Sequence, residues 1–342
     1  MSVPAPFDID APYLILVGDC SQALNAKTGF GLVHWARERC LAQWRLQGEA
    51  VDLGLPDLTP AAAAAAGART LVIGVAPFGG GFTPAWVAAI VEALEAGLDI
   101  ASGMHTRLAS VPEIAAAAQR AGRRLHDVRH AVRAFPLATG RRRTGRRVLM
   151  VGTDCAVGKK YAALAIHRAL EARGVPAHFR ATGQTGILIS GGGIAVDAVV
   201  TDFIAGAAEA LSPDADPSHW DVIEGQGSIF HPAYAAVTLG LIHGSQPDAI
   251  VVCHHPGRDT IDGYPEFPTP SVAECADLVL RVARLTNRDV QLAGVSYNTS
   301  ALSDDARGQL FADTIEQLAV PCIDPMVTGG DAIAAHLIEA FR

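Results

Sequence analysis

The sequence predicts an α/β protein of two domains, each built on a mostly parallel sheet. Three observations lead there. Short apolar runs alternate with helical patterns along nearly all of the 342 residues, the order that places crossover helices between parallel strands. Most of those runs lack polar alternation, as strands covered on both faces do. Finally, the composition shifts abruptly to Arg and Gly in FPLATGRRRTGRR (Phe135 to Arg147). This run sets the boundary between a domain over residues 1–140 and one over residues 141–342, and its charge predicts a solvated linker.

In the first domain, YLILVGD (Tyr13 to Asp19) is an apolar strand ending in turn chemistry. LVHWARERCLAQW has helical spacing, with Leu32, Trp35, Ala36 and Cys40 on one face. TPAAAAAAGA predicts a short helix, and RTLVIGVAP (Arg69 to Pro77) a buried strand followed by the turn FGGG. Thr83-Pro84 fits an N-cap with proline at the first helical position. LDIASGMH and RRLHDVR predict two further strands, with the helix SVPEIAAAAQRAG between them.

The second domain opens on the strand RVLMVGT, and AHFRAT, WDVIEG, DAIVVCH, VQLAGVSYN and VPCIDP predict the others. KKYAALAIHRALEARG is a helix closed by Gly174, with Ala162, Ala165, Ile166, Ala169 and Leu170 as its apolar stripe.

Composition narrows the function class. Half the residues are hydrophobic and the net charge is −8, which excludes a disordered chain and gives no electrostatic footprint for nucleic acid. No apolar run reaches membrane-spanning length. The N-terminal MSVPAPFDIDAP lacks the basic and apolar regions of a signal peptide. The six cysteines form no CxxC pair, so reduced thiols and a cytoplasmic location are expected. A small-molecule partner, with neither nucleic acid nor membrane, is the expectation, as is a homo-oligomer.

The chemistry concentrates after strand ends. GTDCAVGKKY (Gly152 to Tyr161) has the context of a phosphate-binding loop: strand, Gly-rich turn, helix N-terminus. Glycine lets successive N–H groups converge on an anion, and the helix dipole adds to their pull. Gly152, Thr153, Asp154, Cys155, Ala156, Val157, Gly158, Lys159 and Lys160 form the candidate loop, with Lys159 reaching the phosphates. Five residues separate Gly152 from Gly158-Lys159, one more than in the common form. This variant resembles the dethiobiotin synthetase branch of P-loop proteins. Tyr161 stands where a Mg²⁺-binding hydroxyl is usual. Cys155, near a helix N-terminus, is positioned for a lowered pKa.

Other strands end on polar residues at what is predicted to be the same edge of the sheet. They present Arg180 and Gln184, then Glu224 and Gln226, then His254, His255 and Arg258, and finally Asn298. Glycine on both sides of Gln226 fits close ligand approach. Glu224 equally fits the orientation of a loop, either histidine a structural role, and Arg258 a surface ion pair. No HxxxH or HxH spacing points to a metal, and none is expected.

Together GTDCAVGKK, RATGQTGILISGGGIAVDAVVTDFIAGAAE and HWDVIEGQGSIFHPAYAAVTLGLIHGSQPDAIVVCHHPGR resemble the bacterial D-glutamate N-acetyltransferase family, formerly known only as a P-loop domain of unknown function. The resemblance spans nearly the whole chain, being most specific from Gly152 to Arg258 and looser over residues 1–140. It implies a Rossmann-like N-terminal domain and a P-loop NTPase-like C-terminal domain. It also implies acetyl transfer from acetyl-CoA to a D-amino acid, typically D-glutamate, in D-amino-acid catabolism. The family pattern carries Thr in a GKMT-like run where this chain has Tyr161. That departure speaks against Mg-dependent phosphate handling and leaves CoA binding intact.

On this reading Lys159 and Lys160 neutralise CoA phosphates, and Glu224, His254 or His255 is the catalytic base. Asn298 or loop N–H groups hold the oxyanion. Arg180 and Arg258 pair with substrate carboxylates, beside Gln184 and Gln226. The alternative is an ATP/Mg-dependent ligase or kinase of the dethiobiotin synthetase-like class, with Asp154, Glu224 and Thr182 around the metal. A third is a non-catalytic nucleotide or CoA sensor.

Overall fold

The computed structural model describes residues 9–46, 48–75, 81–130 and 134–341. The chain divides into two compact units, one built from residues up to 130 together with Gly183–Ala198, the other from Ala134–Thr182 and the residues from Val199 onward. The FGGG turn lies outside the described residues except for Gly81, as does the start of the N-terminal stretch read for a signal peptide.

The first unit alternates β1 (Tyr13–Gly18), α1 (Lys27–Trp35), β2 (Cys40–Arg45), α2 (Pro60–Ala65), β3 (Thr70–Ile73), α3 (Pro84–Glu95), β4 (Asp99–Ser102), α4 (Pro112–Ala121) and β5 (Leu125–Asp127). Its five strands are all parallel, in the order β2-β1-β3-β4-β5. Thr83 caps α3 as its sequence predicts, its hydroxyl accepting from the Trp86 N–H.

LVHWARERCLAQW behaves differently from its helical spacing. The helix stops at Trp35, Arg37–Arg39 form a single 3-10 turn, and CLAQWR becomes β2. Leu32, Trp35, Ala36 and Cys40 are all buried, so their spacing was satisfied by a helix that breaks and a strand that follows. Arg39 holds the break, donating to the Tyr13 hydroxyl at 2.7 Å and the Ile9 carbonyl at 2.9 Å.

The second unit starts with β6 (Arg146–Gly152), α5 (Lys159–Ala172) and β7 (Ala177–Arg180). The next helix, α6 (Gln184–Ser190), belongs to the first unit. The chain then continues through α7 (Ile204–Leu211), β8 (Trp220–Ile223), α8 (Ala235–Ser245), β9 (Ala249–His254), the hairpin β10 (Thr260–Ile261) and β11 (Tyr264–Pro268), and α9 (Val272–Ala283). It ends with β12 (Gln291–Tyr297), α10 (Asp304–Leu318), β13 (Cys322–Ile323) and α11 (Asp331–Ala340). Six parallel strands run in the order β13-β12-β9-β6-β8-β7. The central β6 is flanked by β9 and β8, so three strand ends meet beside the turn into α5. Met150, Ile166, Trp220, Val251 and Leu337 lie in one core, which the C-terminal helix α11 therefore helps to fill.

The arginine-rich run is only in part a solvated linker, since Arg141 and Arg142 are exposed but two later arginines are not. Arg143 and Arg147 are buried. Arg143 donates to the carbonyls of Ser212, Gly244 and Ser245 at 2.7 to 3.0 Å, satisfying the C-terminal ends of α7 and α8. Arg147 pairs with Asp248 at 3.3 Å. Charge density reports solvation only where no orphan carbonyls need donors, and here two helix ends do.

Candidate active site in the phosphate-binding loop

The loop from Gly152 to Lys159 connects β6 to α5 with the geometry its glycines require. Gly158 caps α5 at φ +98°, and Ala156 also takes a left-handed conformation at φ +52°. A Cβ on Gly158 would meet nothing within 4 Å, so this glycine serves backbone direction rather than packing. The Lys159 side chain is buried and donates to the Asp154 carbonyl at 2.7 Å. Burial holds its ammonium below the usual lysine range. Lys160 lies with its ammonium 4.7 Å from the Tyr161 ring centroid.

Asp154 is the centre of the loop's polar bonding. Its Oδ1 accepts from the Cys155 N–H at 2.6 Å, and its Oδ2 from Arg258 Nη1 at 2.8 Å and the Asp262 N–H at 2.9 Å. Arg258 Nη1 also donates to the Cys155 carbonyl at 2.7 Å. Arg258 is thus more than a surface ion pair: it clamps the loop with one nitrogen. Its Nε and Nη2 have no hydrogen-bond partner among the described residues. Asp262 belongs to the tight turn between β10 and β11, and a cleft of about 410 Å³ is lined by Gly257 to Pro265.

Cys155 does not have the lowered pKa its position predicts. Burial pushes the thiol up and outweighs the opposing pull of Lys159. Asp154, Cys155 and the imidazole of His231 offer ligand atoms within 4.8 Å of one another, but both carboxylate oxygens of Asp154 already accept the bonds just described.

Two further groups surround the loop. On the β9 side, His254 Nδ1 and the Thr153 hydroxyl share a 2.9 Å hydrogen bond, and the Asn298 N–H donates to the His254 carbonyl at 3.0 Å. Burial, then His255 and Arg258, lower the His254 pKa to about 4. His255 Nδ1 lies 2.9 Å from the Pro256 carbonyl. A carbonyl only accepts, so Nδ1 carries a proton in this contact and Nε2 is the ring nitrogen left for other partners. On the β8 side, buried Glu224 accepts from the Thr182 N–H at 2.9 Å, while Thr182 donates its hydroxyl to the Glu224 carbonyl at 2.7 Å. Gln226 Nε2 donates to that hydroxyl at 3.1 Å. Gly225 permits this turn, since a Cβ there would stand 1.7 Å from the Met150 carbonyl oxygen.

The arrangement brings together a left-handed glycine turn, a buried lysine, the imidazoles of His254 and His255 and a buried carboxylate. A scan of family models matches residues 136–334 to "Domain of unknown function (DUF1611_C) P-loop domain" and residues 44–131 to "Domain of unknown function (DUF1611_N) Rossmann-like domain". The chain belongs to the DUF1611 family. It is 45% identical over 333 residues to a D-glutamate N-acetyltransferase of Tritonibacter scottomollicae, covering 97% of this chain and 99% of that one. It is 44% identical to a D-glutamate N-acetyltransferase of Pseudoalteromonas sp., covering 96% and 99%. A DUF1611 family crystal structure from Anabaena variabilis superposes with a TM-score of 0.81 at 32% identity, over 96% of this chain and 100% of that one.

Within this DUF1611 chain, the two remaining predicted site residues stand apart from the loop's hydrogen bonds. Arg180 Nε is bonded to Asp221 Oδ1 at 2.6 Å. Gln184 opens α6 in the first unit. Sequence reading overlooked the hairpin that supplies Asp262, although Asp262-Gly263 between Ile261 and Tyr264 is a hairpin signal. Gly263 there takes φ +77°.

Proposed function

We propose that this protein transfers the acetyl group of acetyl-CoA to the amino group of D-glutamate. The observation that carries the reading is its identity of 45% and 44% with two D-glutamate N-acetyltransferases over nearly their full lengths. The loop's chemistry supports it. CoA presents a pyrophosphate and a 3′-phosphate, anions that a left-handed glycine turn with Lys159 and Lys160 can receive without a metal. Acetyl-CoA supplies the activated acyl group.

His255 is the assigned base, because its Nδ1 is engaged by the Pro256 carbonyl and its Nε2 is left to take a proton from the substrate ammonium. The freed amine nitrogen attacks the thioester carbon. As the tetrahedral oxyanion collapses, the C–S bond breaks, the attacking nitrogen gives up its second proton, and the departing CoA thiolate takes up that proton to leave as the thiol. Asn298 is the assigned oxyanion donor, and the outer face of the Arg258 guanidinium a carboxylate clamp. Glu224 holds the backbone N–H of Thr182 and Gln226 its hydroxyl beside the loop. His254, with a pKa of about 4, is too weak a base and serves to position Thr153. All six cysteines are free thiols, which supports a reducing, cytoplasmic setting for a step in D-amino-acid catabolism.

The test uses purified protein with D-glutamate and acetyl-CoA, and separately with Mg-ATP. Thiol release without ATP, and its loss when L-glutamate replaces D-glutamate, is the expected result. ADP formation that requires substrate and Mg²⁺, without thiol release, overturns the reading.

A further inference from the structure

Outside the loop, three ligating side chains converge on one face of the β7–β8 pair. His178 and Asp221 are direct register partners across the parallel strands. His219 stands two residues before Asp221, and residues two apart in an extended chain share a face. Their ligand atoms all lie within 4.8 Å of one another. The two imidazoles tilt at 53° with centroids 4.7 Å apart, and His219 Nε2 is 3.2 Å from Asp221 Oδ1. Ligands at about 2.0–2.1 Å from a tetrahedral Zn²⁺ stand about 3.3–3.4 Å apart, so this pair already has the required spacing.

We propose that His178, His219 and Asp221 form a site for a borderline divalent transition metal such as Zn²⁺, with Arg180 as its built-in competitor. Two imidazoles and a carboxylate make a donor set for such ions rather than for Ca²⁺ or Mg²⁺. Asp221 and His219 are buried and fix two ligands, while His178 is exposed and gives the entry side. No hydrogen bond holds the His178 ring among the described residues, so it can turn toward an ion.

Arg180 places one positive charge on Asp221, with its Nε 2.6 Å from Oδ1. An ion that takes Oδ1, the oxygen 3.2 Å from His219 Nε2, displaces the Arg180 bond. Arg180 is able to yield because its side chain is 24% exposed, against 2% for Asp221. Metal occupancy at Oδ1 and the pairing of Arg180 with that oxygen therefore compete.

The proposal is tested on the full chain by calorimetric titration with ZnCl₂ and by the visible absorption of bound Co²⁺. One ion should bind per chain with the spectrum of a tetrahedral nitrogen–oxygen site. His178→Ala changes an exposed side chain and should keep the fold, while weakening Zn²⁺ binding by more than the about 10–100-fold typical of an outer-shell loss. His219→Ala should do the same, and Arg180→Gln should tighten binding. Failure of the native chain to bind Zn²⁺, or unchanged affinity in His178→Ala, overturns the site. Loss of binding in His231→Ala but not in His178→Ala assigns the ion to the phosphate loop and also overturns it. Unchanged or weaker binding in Arg180→Gln overturns the competition.

Discussion

Arg258 and Asp154, 104 residues apart in sequence, meet at 2.8 Å, and the aspartate is wholly buried within the turn from Gly152 to Lys159. The turn's shape thus depends on a cation delivered by the loop after β9, three strands later in the chain. Removing Arg258 strands a buried carboxylate, which costs about 3 kcal/mol in comparable pairs. Arg258→Ala should show that loss in denaturant unfolding. Adding Asp154→Asn should recover part of it, and a double-mutant cycle with no coupling contradicts the clamp.

Lys159→Ala should weaken CoA binding. A charge-assisted hydrogen bond contributes about 1.5–3 kcal/mol, so affinity should fall about 10- to 100-fold. The calorimetric comparison is with pantetheine, which lacks the phosphates and should bind both proteins alike. Equal CoA affinity in both proteins removes the lysine from phosphate binding.

His255→Asn keeps the Nδ1-side hydrogen bond to Pro256 in shape and removes the Nε2 lone pair. Turnover should fall about 10²- to 10⁴-fold, the usual range for loss of a general base. Binding of D-glutamate should persist. A variant with native turnover at neutral pH returns the role of base to Glu224.

His254 makes stability depend on pH in a defined direction. Its pKa is about 4 in the folded chain, below the about 6.5 of a free imidazole. Between these values the unfolded chain binds more protons, so stability falls as pH drops from about 6.5 toward 4 and the loss is complete below the folded value. His254→Gln should flatten the unfolding free energy across that window by up to about one proton of slope. An unchanged slope would place the titration elsewhere.

Much of this site was legible along the chain because its parts sit where strands end. RVLMVGT, DAIVVCH and VQLAGVSYN are local patterns, and so is the turn from Gly152 to Lys159. Bonds between strands were not legible. Nothing in the spacing of Asp154 and Arg258, or of Thr153 and His254, encodes their meeting, which follows from β6 and β9 being sheet neighbours. The arginine run misled because composition does not report which carbonyls lie nearby, and Arg143 is buried among three of them. Cys40 misled for a different reason: a buried position at the end of a helical period is also a buried position at the start of β2.

The placement of residues 183–198 has a consequence for anyone cutting the gene. Among the described residues the chain passes from one unit to the other at Thr182–Gly183 and back at Ala198–Val199. A fragment beginning near residue 141 would therefore carry α6 without α1, against which it packs, and would bare Ile187, Leu188 and Ile189, all buried in the intact chain. Exposed apolar surface of that kind invites aggregation. The two halves are best regarded as one hereditary unit: a module swapped by recombination would need either both pieces of the first unit or a redesigned bridge from Thr182 to Val199.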